Sequence, residues 1–182
     1  MQEDKSKLFG FAMQGGIFLG LFWILKYFFV VVAEGHSIAQ FLIPVLSAIT
    51  PVILLQYLIK YRITVLDGTI SFWHGVQFAI MLFFFASLFE AVAAFIHITW
   101  IDQAFVGKMY QQMVEALRSF NISESMVSNF ENQPIPSAFG YLINNVILSD
   151  VFIGIVLSLF IVPISRIINP KNITKEQFDA DE

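Results

Sequence analysis

Three ionisable side chains, Lys26, Glu90 and Asp150, stand inside long apolar stretches and are the residues best placed to do chemistry. A charge set in lipid costs on the order of 3 kcal/mol on insertion scales, so such groups turn inward, where they pair or mark a path for protons or solutes. Lys26 and Glu90 fall in the outer halves of their stretches, and Asp150 lies near the middle of its own. Asn144 lies one to two turns further out than Asp150. The spacing predicts an inward cluster of Lys26, Glu90, Asp150 and Asn144 with His97 above it. Two readings fit: a buried lysine–carboxylate pair that keeps helices in register, or a proton or solute site. A third places Lys26 near the headgroups, its amine snorkelling to water.

Other chemistries lack their residues. There is no cysteine, hence no thiolate and no Cys-based metal site. His36, His74 and His97 are far apart and show no ligand spacing. Beside Trp73, His74 reads as an interfacial residue. No paired D-x-x-D motif, Ser-His-Asp order or phosphate-binding glycine loop occurs, so no enzyme, cofactor or metal is expected. The net charge of −4 argues against nucleic acid as a partner. Two N-x-S/T triplets, at Asn121 and Asn172, are read as chance occurrences.

The elements that position these residues follow from composition. Hydrophobic residues make up 57% of the 182 and charged ones 13%, against about a quarter charged in a soluble domain. A membrane span needs about 20 apolar residues, and four stretches qualify: Leu8–Ala33, Ser37–Ile59, Ile70–Ile101 and Ser137–Ser165. The first is too long for a signal peptide and carries Lys26, so it reads as a retained helix. Seven basic residues (Lys5, Lys7, Lys60, Arg62, Arg166, Lys171, Lys175) fall on one side and two (Lys108, Arg118) on the other. The positive-inside rule then puts both termini, including the tail Arg166–Glu182, in the cytoplasm. The fold expected is an all-α, four-span membrane domain with an extracytoplasmic helical hairpin in the loop Asp102–Pro136.

Small residues line the faces on which such helices meet. Ala12, Gly16 and Gly20 form a four-spaced stripe in the first span; Gly75, Ala79, Ala86, Glu90, Ala93 and His97 share a face of the third. Ser137, Gly140, Asn144, Gly154 and Ser158 share one in the fourth, with Asp150 at its edge. Pro44 and Pro51 predict kinks in the second. In the loop, Val106, Met109, Tyr110, Met113, Leu117 and Phe120 recur at helical spacing and predict an amphipathic helix. Ser123 is a plausible cap for a second helix. The hairpin is expected to lie on the membrane or cap the bundle, or else to offer a Met-rich groove to a partner.

The stretches Tyr57–Arg62 (YLIKYR) and Leu66–Phe78 (LDGTISFWHGVQF), the long span after them, the Ser123–Met126 turn and the small-residue last helix carry a resemblance. The chain resembles a bacterial domain-of-unknown-function family, number 4199, of small four-span inner-membrane proteins. The resemblance implies the fold and a multi-pass place in a bacterial inner membrane, and it carries no site residues with it. The function expected is a non-enzymatic accessory or scaffold subunit of an inner-membrane complex. The alternative is a small proton-coupled transporter or channel acting as an oligomer. The bilayer, a protein partner and a second copy of the chain are the partners this implies.

Overall fold

The structure, a computed structural model, describes residues 2–33, 36–120 and 123–168. The triplet asparagines Asn121 and Asn172 and the basic residues Lys171 and Lys175 lie outside these. Among the described residues every regular element is helical. Four helical stretches are long and apolar enough to cross a membrane: Ser6–Val32, Ser37–Val65, Phe72–Ile101 and Ala138–Ile167. This is a multi-pass membrane protein.

The first span is one helix, α1 (Gln2–Val32). The second is two, α2 (Ser37–Ser47) and α3 (Thr50–Val65). Pro51 in the first turn of α3 has no N–H to bond backwards, so the chain breaks beside it at Ala48–Ile49 and restarts. Asp67 and Gly68, both at positive φ (50° and 87°), turn the chain towards the third span. Glycine and aspartate are residues that tolerate such angles. Ser71 then caps α4 (Phe72–Ile96) by accepting the His74 N–H at 3.3 Å.

Spans three and four each contain a wide π-helical segment near the end that bears the interhelical loop. One is His97–Ile101, which continues α4; the other is Leu142–Ile147, between the short α7 (Ala138–Tyr141) and α8 (Leu148–Ile167). Between the two spans lies the hairpin of α5 (Phe105–Ser119) and α6 (Glu124–Glu131).

Helix α1 packs most extensively on α4, and α4 next most on α8; α3 touches both α1 and α8. The small residues make this possible. A Cβ built on Gly16 would lie 2.5 Å from the Phe85 Cβ and 3.0 Å from the Leu82 carbonyl oxygen. One on Gly20 would meet the Phe89 side chain at 2.8–2.9 Å, one on Gly75 the Val162 side chain at 2.7 Å, and one on Gly154 the Phe83 ring at 2.7 Å. Ala12, Ala79 and Ser158 are wholly buried on the same seams. Gly140 departs from the expectation. Its neighbours are Ser137 and Pro136, in its own turn, so it serves the start of α7 and no helix–helix contact. Gly15 is an unanticipated member of the set, with Tyr57 of α3 and Leu82 of α4 against it.

The buried apolar residues form two clusters. The larger joins Ala12, Leu19, Trp23, Leu54, Leu82 and Phe83 with others towards the end that holds the start of α1 and the end of α8. The smaller joins Tyr27, Ala91, Ala94, Ile98, Leu142 and Val146 towards the hairpin. Lys26, Glu90 and Asp150 occupy the levels between them.

The hairpin is held by its own contacts. Tyr110 stacks on Phe130 with ring centroids 5.1 Å apart, Arg118 pairs with Glu131, and Val114 and Val127 are buried. The apolar residues expected to share one face of α5 divide into two. Val106, Tyr110 and Leu117 turn inward, while Met109, Met113 and Phe120 face outward. Ser123 stands at the cap position of α6, but its hydroxyl pairs with that of Ser125 and not with a backbone N–H.

A candidate proton site in the membrane

The site begins on one face of α1. Trp23 is buried, its indole N–H donating to the Thr50 hydroxyl at the head of α3 (3.1 Å) and its ring edge-on to Phe83 (5.3 Å). One turn on, the Lys26 ammonium lies 5.2 Å from the centre of the Trp23 ring, within cation–π range. The same ammonium sits 3.6 Å from Glu90 Oε1 on α4. Lysine and glutamate are both largely buried, so the pair is inside the bundle and the amine does not snorkel.

Asp150 belongs to the same electrostatic neighbourhood, influenced by both Glu90 and Lys26, but makes no ion pair with Lys26. Two carboxylate oxygens, Glu90 Oε2 and Asp150 Oδ2, are buried without a hydrogen-bond partner. One oxygen of each carboxyl group thus has no protein partner. A structural network in a low-dielectric interior normally satisfies its members, since each unpaired polar atom carries its full desolvation cost. Among the protein's own side chains, Glu90 and Asp150 each depart from that rule by one oxygen.

Above the pair, the Tyr27 hydroxyl and His97 Nδ1 are 2.9 Å apart. The imidazole also meets the Phe105 ring, at 4.7 Å between centroids, and Phe105 stands edge-on to Tyr141. His97 is buried from the bulk yet lines a cavity of about 340 Å³ between the hairpin and the ends of α1 and α2. Val30, Gln40, Asp102, Lys108 and Gln112 line it too. At its rim Asp102 accepts from Lys108 Nζ and from the Ala104 N–H, each at 3.0 Å. The lysine hydrogen bond, chiefly, holds the Asp102 carboxyl below its usual range.

Of the five residues expected to cluster, the structure pairs Lys26 with Glu90, leaves Asp150 without an ion pair, and bonds His97 to Tyr27. Asn144 does not join. It faces outward and its amide donates to the Gly140 carbonyl of its own helix at 3.0 Å. The cause is local: Asn144 lies within the π-helical segment, whose wider turn breaks the regular register by which it was placed on the face of Gly154 and Ser158. Tyr27 and Trp23 were not anticipated. The available signal was an aromatic pair four apart with Lys26 between them, which puts all three within one turn of helix.

The opposite end of the bundle holds a separate arrangement. Tyr61, fully buried, bonds His74 Nε2 through its hydroxyl at 2.7 Å and stacks on Phe78. His74, expected at the interface, is therefore anchored into the core through Tyr61. Arg62, counted above only as an orienting charge, is also buried. Its guanidinium donates to the carbonyls of Ser165 and Ile168, which cap the end of α8.

Among the described residues no group of three or more His, Cys, Asp or Glu could hold a metal ion. No match is found among curated proteins or among solved structures. The sequence model of one family does match, over residues 14–166, which take in most of the first span, the second and third, the hairpin and all but the last residue of the fourth. The chain belongs to that family, described as Protein of unknown function (DUF4199).

Proposed function

We propose that this protein is a small proton-coupled transporter or channel of the bacterial inner membrane, acting as an oligomer, with Lys26, Glu90 and Asp150 as its intramembrane site. The observation that carries the reading is the pair of buried, unpartnered oxygens, Glu90 Oε2 and Asp150 Oδ2. A lysine–glutamate pair serving only to lock helices needs no second carboxyl group beside it. A second buried acid near a lysine–glutamate pair gives the bundle interior a group that can take up and release a proton, which is what a proton-coupled carrier requires. Four spans are few for a monomeric carrier, hence the oligomer. Reconstitution into liposomes with an internal pH dye tests it. Wild-type protein is expected to carry protons down an imposed gradient, with Glu90→Gln and Asp150→Asn each lowering the rate at least tenfold. Unchanged flux in both variants, or none in the wild type, rules the reading out.

A second reading, an accessory or scaffold subunit of a membrane complex, is supported by Met113, Phe120 and Met126, which face outward on the hairpin beyond the spans. It predicts a stoichiometric partner on purification from native membranes in mild detergent. Recovery of the protein alone contradicts it.

A further inference from the structure

We infer that copies of this chain associate side by side in the membrane through two glutamines, Gln14 of one copy hydrogen-bonding Gln56 of its neighbour. The inference gives the oligomer of the transport reading its contact, and it rests on that reading only in supposing more than one copy.

Both residues lie deep in the membrane and at one height. Gly16 of α1 abuts Phe85, near the middle of the 30-residue third span. A Cβ on the adjoining Gly15 would lie 2.8 Å from the Tyr57 ring, so α1 and α3 cross with these two residues opposite each other. The two helices run in opposite directions, since Trp23, further along α1, bonds Thr50 at the head of α3. Gln14 precedes Gly15 and Gln56 precedes Tyr57. They therefore differ in height by about two residues, or about 3 Å. Both face outward from the bundle. No water reaches the middle of a hydrocarbon core about 30 Å thick.

Nothing in their own chain satisfies these two side chains. Other outward-facing polar groups of the spans bond back to their own helix: Ser47 to the Ile43 carbonyl at 2.8 Å, Thr64 to that of Lys60 at 2.7 Å and Asn144 to that of Gly140 at 3.0 Å. Among the described residues neither Gln14 nor Gln56 has a hydrogen-bond partner. A carboxamide left bare in hydrocarbon bears the full cost of its lost water, and a polar side chain on a neighbouring helix relieves it. Each carboxamide both donates and accepts, so two of them complete each other.

A second copy is the partner that fits. Rotation about the membrane normal keeps every residue at its depth, so Gln14 of one copy meets Gln56 of the next at the same level. Pairing the unlike glutamines satisfies both positions with one kind of contact, whereas pairing each with itself needs two separate contacts. The surface beside them suits a helix. Gln14 is followed by Phe18, Leu21, Leu25 and Phe28 at alternating steps of four and three, each between 54% and 58% exposed. That is the period at which two helices wrap around each other. Ile49 and Val52 continue the outward face of α3 from Gln56.

Full-length protein in vesicles, carrying a donor or an acceptor dye at Ser119→Cys, tests this by energy transfer as the protein is diluted in lipid. The chain has no other cysteine to take up dye. Wild type is expected to associate, and Gln14→Leu and Gln56→Leu each to weaken association about tenfold through lost interhelical hydrogen bonds. Gln77→Leu, also outward-facing but close to the start of its span, should leave it unchanged. Thermal melts of the three variants separate a lost contact from a lost fold. Cross-linking reads the pairing with both glutamines in place. In membranes holding two tagged single-cysteine forms, oxidation should join Leu21→Cys to Val52→Cys of another copy more readily than to its own kind. A monomeric wild type, association indifferent to both glutamines, an equal loss in Gln77→Leu, or Leu21→Cys joined only to itself overturns the inference. If protons cross the membrane while association ignores the glutamines, the contact falls and the proton site stands. If copies associate as described and no protons cross, the transport reading fails and the contact stands.

Discussion

At Lys26, a largely buried ammonium lies 3.6 Å from the Glu90 carboxylate. Removing a buried charge while its partner remains leaves an uncompensated ion, and in proteins this costs about 3–5 kcal/mol. Lys26→Met keeps the volume and the apolar stem and so isolates the charge. It should lower the melting temperature in detergent, and adding Glu90→Gln should recover most of the loss by removing the stranded carboxylate. A melting temperature unchanged by Lys26→Met would show that the pair contributes nothing to stability. Asp102 allows a pH prediction at the same scale. Its carboxyl sits below the ordinary 3.8 because Lys108 donates to it. A depressed folded-state value stabilises the native state above the ordinary value, and the contribution is lost only as pH falls through the folded one. Hydrogen-exchange protection at the start of α5 should therefore hold constant from about pH 8 to pH 5 and fall only in stronger acid. Loss of protection near neutrality would contradict the assignment. Lys26 and Glu90 were legible because a charge in an apolar stretch has few places to go. Arg62 was not: at a span's end, a basic residue that orients the protein and one that caps a neighbouring helix look the same in sequence. Only the fold brings the α8 carbonyls to it.

Helices meet here where side chains are missing, so glycine positions sort by what lies opposite. Gly16 faces Phe85 and the Leu82 backbone on α4, and backbone has no rotamer by which to retreat. Gly16→Ala should destabilise the protein by roughly 1–3 kcal/mol through overpacking. Gly10 has nothing within 4 Å of its would-be Cβ, and Gly10→Ala on the same helix should be neutral or stabilise by up to about 1 kcal/mol through helix propensity. Thermal melts of the two variants side by side make the test. Equal effects would mean that the α1–α4 seam is looser than described. The stripe Ala12–Gly16–Gly20 was readable from its four-residue period, as were Gly75 and Ala79, because α1 and the body of α4 keep regular helical phase. In the fourth span Gly154 and Ser158 lie on the helix seam, whereas Gly140 and Asn144, on the far side of and within its π-helical segment, do not. A local change of pitch leaves no mark in hydrophobic periodicity, and everything beyond it is placed on the wrong face. The amphipathic α5 failed differently. Its apolar positions are real, but α6 and the bundle cover only part of them, and no pattern within one helix says how much its neighbours will cover.

Across the whole molecule the arrangement is a polar layer between two unequal apolar clusters, the larger towards the termini and the smaller, opened by a cavity, towards the hairpin. Sidedness in the fold becomes sidedness in the cell once the orientation is known, and the charges argue for one. Seven basic residues flank the spans on the terminus side against two on the hairpin side, and the translocation machinery retains basic flanks in the cytoplasm. Arg62 weakens that count by being buried, yet six against two leaves the bias intact. The hairpin, the cavity and His97 should then face the periplasm. The absence of native cysteine makes the orientation measurable. Ser119→Cys, outward-facing on α5, should react with an impermeant thiol reagent in intact cells whose outer membrane has been permeabilised. Lys60→Cys, outward-facing on α3, should react only after the inner membrane is opened. The reverse pattern would put the cavity in the cytoplasm.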